Sequence, residues 1–214
     1  MMTQTHCLMA AALLANPKRP RRHNAAILLG SLVPDVAIFS LFVWSKFANI
    51  PEHTLWQETY FSEPMLTLTA IGNSMPLYVL VLLVGLLISQ FETKQGRIAE
   101  VPRPGQTCSW HPRVISALAL FALAAITHLL GDFPVHAADA HPHFWPFTDW
   151  RFHSPISYWD HKHYGHVFSV AEAVLGIILS IIVFRRFKVS YVRALTLLAI
   201  CAYVAVPLYF SLVL

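Results

Sequence analysis

Apolar residues gather in six blocks along the chain: Thr3–Asn16, Asn24–Lys46, Met65–Phe91, Val114–Gly131, His166–Phe184 and Tyr191–Val213. Shorter polar or basic stretches separate them. A helix needs about 20 residues at 1.5 Å each to cross a hydrocarbon core of roughly 30 Å. The last five blocks are expected to cross. The first, with 14 residues, is too short. It reads as a half-helix, which a bilayer tolerates only when other helices cover it. The expected fold is therefore all-α: a polytopic membrane helical bundle of about five full spans plus a short N-terminal half-helix. It forms one integral membrane domain over residues 1–214. Lys18, Arg19, Arg21 and Arg22 follow the first block instead of preceding it. That order argues against a cleaved secretory signal.

Composition supports the bilayer, with 56% hydrophobic and 12% charged residues, against about 25% charged in soluble domains. The net charge of +4 does not imply a nucleic-acid partner, because the basic residues sit at block ends. Residues 17–23, 92–113 and 185–193 hold four lysines and arginines each, 12 of the 15 in the chain. Alternating crossings put all three stretches on one side, which the positive-inside rule makes the cytoplasm. The expected location is a bacterial inner membrane, with the Phe47–Pro64 and Asp132–Gly165 loops outside. These loops carry Trp56, Tyr60, Phe61, Phe144, Trp145, Phe147, Trp150, Phe152, Tyr158, Trp159 and Tyr164. Such rings favour the headgroup level. Cys7, Cys108 and Cys201 are scattered and form neither a disulfide framework nor a CxxC motif.

Ionisable residues within apolar blocks need partners or a function. Asp35 follows Pro34, whose missing N–H kinks a helix and opens its backbone. Counted from the basic stretches, His6 and Asp35 lie at a depth of roughly 17 Å, Glu172 at about 20 Å and His128 at about 22 Å. Four segments thus bring ionisable groups to one layer. His128 and Asp132 are four apart, on one helical face. His136 follows four later, beyond Pro134, and reaches back from the loop. Histidine with carboxylate suits zinc or another divalent transition metal. With three protein ligands and an open position, zinc lowers the pKa of its water to about 7. The loop adds Asp139, His141, His143, His153, Asp160, His161, His163 and His166. Most of these are expected to be solvated or to orient ligands, and His163 is the further candidate ligand because it adjoins the next block. Glu172 and His136 are the candidates for proton transfer. Asn73 and Ser74 are assigned to helix–helix hydrogen bonding.

Three motifs carry a resemblance: Thr5-His6, Leu32-Val-Pro-Asp35 and His128-x-x-x-Asp132. Together they resemble the bacterial membrane-bound metal-dependent hydrolases of the LexA-regulated inner-membrane type, and more distantly zinc-dependent phospholipase C. The segment from Asp132 to Asp160 resembles a distinct bacterial subgroup. The resemblance implies His6, Asp35, His128 and Asp132 as metal ligands. The chain departs from the pattern in lacking a His-Arg-Gly-x-Thr-His-Ser stretch. The expected function is a membrane-embedded metal-dependent hydrolase, acting near the outer face on a phosphoester of a lipid or lipid-linked substrate. A metal-binding transporter and a non-catalytic membrane protein with a structural metal are the alternatives. The transporter reading lacks the repeated, broken halves common in such folds.

Overall fold

The computed structural model describes residues 1–99 and 115–213, with side chains over 1–93 and 115–205. The basic residues Arg103 and Arg113, with Cys108 and Val114, lie outside the described residues, as do the side chains of Lys94 and Arg97. Among the described residues there are helices and no strand. They are α1 (Thr3–Leu14), α2 (Arg21–Leu32), α3 (Val36–Phe47), α4 (Glu52–Thr54), α5 (Glu63–Gly72), α6 (Met75–Ala99), α7 (Ala117–Asp132), α8 (Gly165–Arg186) and α9 (Ser190–Val213).

Three stretches are long and apolar enough to cross a membrane: Arg21–Phe47, Glu63–Thr93 and Gly165–Arg186. Most of their side chains face outward, as Leu80, Leu83, Val170 and Val174 do, each more than half exposed. Two further stretches, Ala117–Asp132 and Ser190–Ala205, are apolar but shorter. Of the five expected spans, three are therefore candidates by length and composition among the described residues. In α7 the shortening has a local cause. Ser116 caps the helix, its hydroxyl accepting the Ala119 N–H and donating to the Gly85 carbonyl. Sixteen residues rise only about 24 Å.

Helix α7 is the bundle's central post, packed by α1, α2 and α6. Close approach depends on glycine. A Cβ on Gly30 would overlap the Phe121 carbonyl, and one on Gly85 would overlap the Ala119 backbone. Two of the long stretches are broken midway. Pro34 turns the chain through a short 3-10 segment at Val33–Asp35, as its missing donor requires. Asn73 and Ser74 interrupt the other between α5 and α6. The breaks meet, since a Cβ on Gly72 would stand 3.0 Å from the Pro34 carbonyl oxygen.

The first block is short and covered, as expected. Helix α1 lies against α2, α7 and α8, with Thr5, His6, Leu8 and Ala10 buried. The segment from 133 to 164 folds on itself. Tyr158 N–H donates to the Val135 carbonyl at 3.0 Å and Ser154 N–H to that of His136 at 2.9 Å. The Arg151 guanidinium donates to the Ala140 carbonyl at 2.8 Å. The segment is tied to the α5–α6 break through Met75 N–H on the His143 carbonyl (2.8 Å) and the Ser74 hydroxyl on the Trp145 carbonyl (2.6 Å). Ser74, and Asn73 through its carbonyl 3.2 Å from His143 Nδ1, thus anchor this segment as well as bonding within their own helices.

Candidate metal centre

Asp132 ends α7 and is buried, with its carboxylate facing four nitrogens from three parts of the chain. His6 Nε2 lies 2.9 Å from Oδ1, His128 Nε2 3.0 Å from Oδ2, and His136 Nε2 3.3 Å from Oδ1. The Met1 nitrogen also reaches Oδ1, at 2.5 Å. Asp35, at the Pro34 turn, places Oδ1 3.5 Å from His128 Nε2, and its other oxygen accepts the Thr3 hydroxyl. Gly131 makes room for this convergence. A Cβ there would come within 3.1 Å of the His6 ring and 3.0 Å of Met9 Cε.

Two of the imidazoles are oriented from behind. The His128 Nδ1 sits 2.7 Å from the Ser31 carbonyl oxygen, which can only accept, so Nδ1 carries the proton. His136 Nδ1 likewise donates to Asp139 Oδ2 at 2.9 Å, and the Trp159 indole N–H donates to the same oxygen at 3.0 Å. In the neutral rings each Nε2 then presents a lone pair towards a carboxylate oxygen. Neither nitrogen makes a hydrogen bond among the described residues, and both are buried, as is the unpartnered His6 Nδ1. Burying such groups without a partner is costly. A lone pair facing a carboxylate calls for a cation between them, either a proton or a metal ion. The His6 and His128 rings stack with centroids 3.6 Å apart, so the two repel if both are imidazolium.

One ligand atom from each of His6, His128 and Asp132 falls within 4.8 Å of the others, so this buried cluster could hold a metal ion. Nitrogen and carboxylate donors with a hydrogen-bonded outer layer match the usual chemistry of divalent transition metals.

Outside the spans, charge and burial act in opposite directions on the histidines. Burial alone pulls His136 down, but the Asp132 and Asp139 carboxylates at its two ring nitrogens outweigh it and hold the ring up at about 9. Asp139 goes the other way. Burial would raise it, and its hydrogen bond to His136 holds it at about 2. His141 is enclosed beside His136, ring centroids 5.0 Å apart, and burial keeps it neutral, down to about 3.

Of the sequence-predicted residues, the structure brings together His6, Asp35, His128, Asp132 and His136. His163 is apart from them: its Nδ1 pairs with Asp160 at 2.8 Å and its side chain is 43% exposed. Glu172 is buried on α8, where it accepts the Met2 N–H at 2.7 Å. His141 and His143, among the loop histidines expected to be solvated or to orient ligands, are buried. Of the orienting groups, Ser31 and Thr3 were not singled out by sequence, while Asp139 was among the loop residues expected to be solvated or to orient ligands. Only Asp139 carries a signal there, its spacing of three from His136. Comparison with protein-family models, with curated proteins and with solved structures finds no match to this chain.

Proposed function

We propose that this chain is an inner-membrane metal-dependent hydrolase of the kind its three motifs resemble. It would cleave a phosphoester of a lipid or lipid-linked substrate. In this reading α7 and α9 complete five crossings, the basic stretches face the cytoplasm, and residues 132–165 lie at the outer face. His6, His128 and Asp132 hold the cation, with Asp35 and His136 flanking it. A divalent ion such as zinc, when bound, polarises a phosphoryl oxygen and acidifies water. His136 takes the proton of the attacking water on Nε2, with Asp139 holding Nδ1–H and the ring's orientation. The phosphorus–oxygen bond to the leaving alcohol breaks as the new one forms, and the same proton returns to the alkoxide. Phe147 and Trp150, 82% and 52% exposed, seat the apolar part of the substrate at the interface.

The observation that carries this reading is the pair of buried, backed nitrogens, His128 Nε2 and His136 Nε2, facing one carboxylate. The test is turnover of a panel of phospholipids and lipid phosphates by detergent-solubilised, zinc-loaded protein beside Asp132→Asn. Phosphoester cleavage by wild type that the variant lacks is expected. A blank across the panel with metal bound contradicts it.

One observation favours a second reading, a structural metal. His6, His128 and Asp132 are each no more than 3% exposed, which suits a staple between helices. In that case chelation unfolds the bundle and no substrate is turned over.

A further inference from the structure

Helix α1 supplies His6 but carries nothing at its own ends to stabilise it. Its first turn has no acidic residue, its last turn no basic one, and its N-cap position, Met2, offers no side-chain hydrogen bond. The first N–H groups and last carbonyls of any helix need outside partners. Helix α8 supplies them at both ends. Glu172 Oε1 accepts the Met2 N–H at 2.7 Å. Fourteen residues on, Arg186 Nη1 donates to the carbonyls of Ala11, Ala12 and Ala15, at 3.2, 2.7 and 2.9 Å. That spacing on α8 spans about 21 Å, close to the reach from Met2 to Ala15. The two helices therefore run in the same sense. A carboxylate stands at the positive end of the α1 dipole and a guanidinium at the negative end.

We propose that Glu172 and Arg186 are positioning residues: a two-ended clamp that sets the register of α1, and thereby the place of His6 on Asp132. The consequence for metal binding rests on the proposed reading of His6, His128 and Asp132 as a metal centre; the clamp itself does not. The mechanism leaves Glu172 free for this role. Its carboxylate contacts the α1 backbone, whereas the imidazoles gather on Asp132. A bundle contact that only added packing would not single out the two ends of one helix.

The experiment has two readouts on the full-length protein in detergent. The first is amide hydrogen exchange over residues 3–14 with chelator present, which needs no metal. Glu172→Leu and Arg186→Gln should each speed exchange in α1 by about tenfold or more, whereas Glu172→Gln, which keeps an acceptor oxygen, should stay near wild type. The second is zinc affinity by chelator competition. Glu172→Leu should weaken it by about tenfold, and should add less than about twofold in a His6→Ala background, because the displaced ligand is already gone. Unchanged α1 exchange in Arg186→Gln overturns the clamp even if Glu172→Leu fails to fold. So does a Glu172→Gln protein as impaired as Glu172→Leu. A full tenfold loss in the His6→Ala background overturns the link to His6. Wild type that binds no zinc defeats the metal reading and leaves the exchange result to decide the clamp.

Discussion

Two histidine–aspartate pairs in this chain invite comparison. His128 and Asp132 lie one turn apart on α7, with Nε2 and Oδ2 separated by 3.0 Å. Asp160 and His163 lie three apart in the outer segment, with Oδ2 and Nδ1 separated by 2.8 Å. Residue types, spacing and distance are nearly the same. Their surroundings differ. The His128 and Asp132 side chains are 0% and 4% exposed, and those of His163 and Asp160 are 43% and 24%. Asp160 closes a local turn, accepting the Lys162 N–H at 2.9 Å, and its hydrogen bond to His163 holds its carboxyl below the usual range. Asp132 instead receives groups from α1 and the outer segment, while Ser31 of α2 fixes the His128 tautomer. A local pair is satisfied by itself. A site forms where distant segments bury the pair and leave nitrogens that only a cation can satisfy.

Breaking the buried pair should have the largest effect. Asp132→Asn removes the charge that three imidazoles share, and zinc affinity measured by chelator competition should fall by more than about 100-fold, beyond the loss typical of outer-layer changes. Retained affinity would remove Asp132 from the centre. Asp139→Asn acts one step out, by weakening the hold on His136 Nδ1, and should cost about 10-fold to 100-fold in the same measurement.

The pH dependence is intermediate. The metal-free His136 ring is held at about 9, so below that pH its positive charge beside Asp132 opposes a cation on His6, His128 and Asp132, and binding must release that proton. Zinc affinity should therefore rise with pH, by up to about tenfold per unit for this one proton, and flatten above 9. A flat profile from pH 6 to 9 would separate His136 from the metal. The smallest effect is expected at the exposed pair. His163→Ala should leave zinc affinity within about twofold and the thermal midpoint unchanged, since exposed ion pairs contribute little. A large loss there would erase the contrast between the two pairs.

The sequence exposes helix positions better than it exposes neighbours. The apolar blocks announced the helices, and Pro34 its break, because hydropathy and a missing N–H act locally. The length of α7 was less evident, since the cap at Ser116 works through Gly85 of another helix. Depth counting put His6, Asp35, His128 and Glu172 in one layer, yet depth carries no rotation about the helix axis. His6, Asp35 and His128 turned inwards together, while Glu172 reached the Met2 N–H from α8. The Ser31 carbonyl behind His128 left no trace in the sequence, because every residue has a carbonyl. His163 adjoined α8 in sequence, but its own turn gave it a nearer partner in Asp160.

The most direct measurement is metal content per chain in purified wild type, His128→Ala and Asp35→Ala, by elemental analysis under identical handling. The account predicts bound divalent metal in wild type, lost in His128→Ala and reduced in Asp35→Ala. Wild type without metal, or content unaltered by both substitutions, would contradict it.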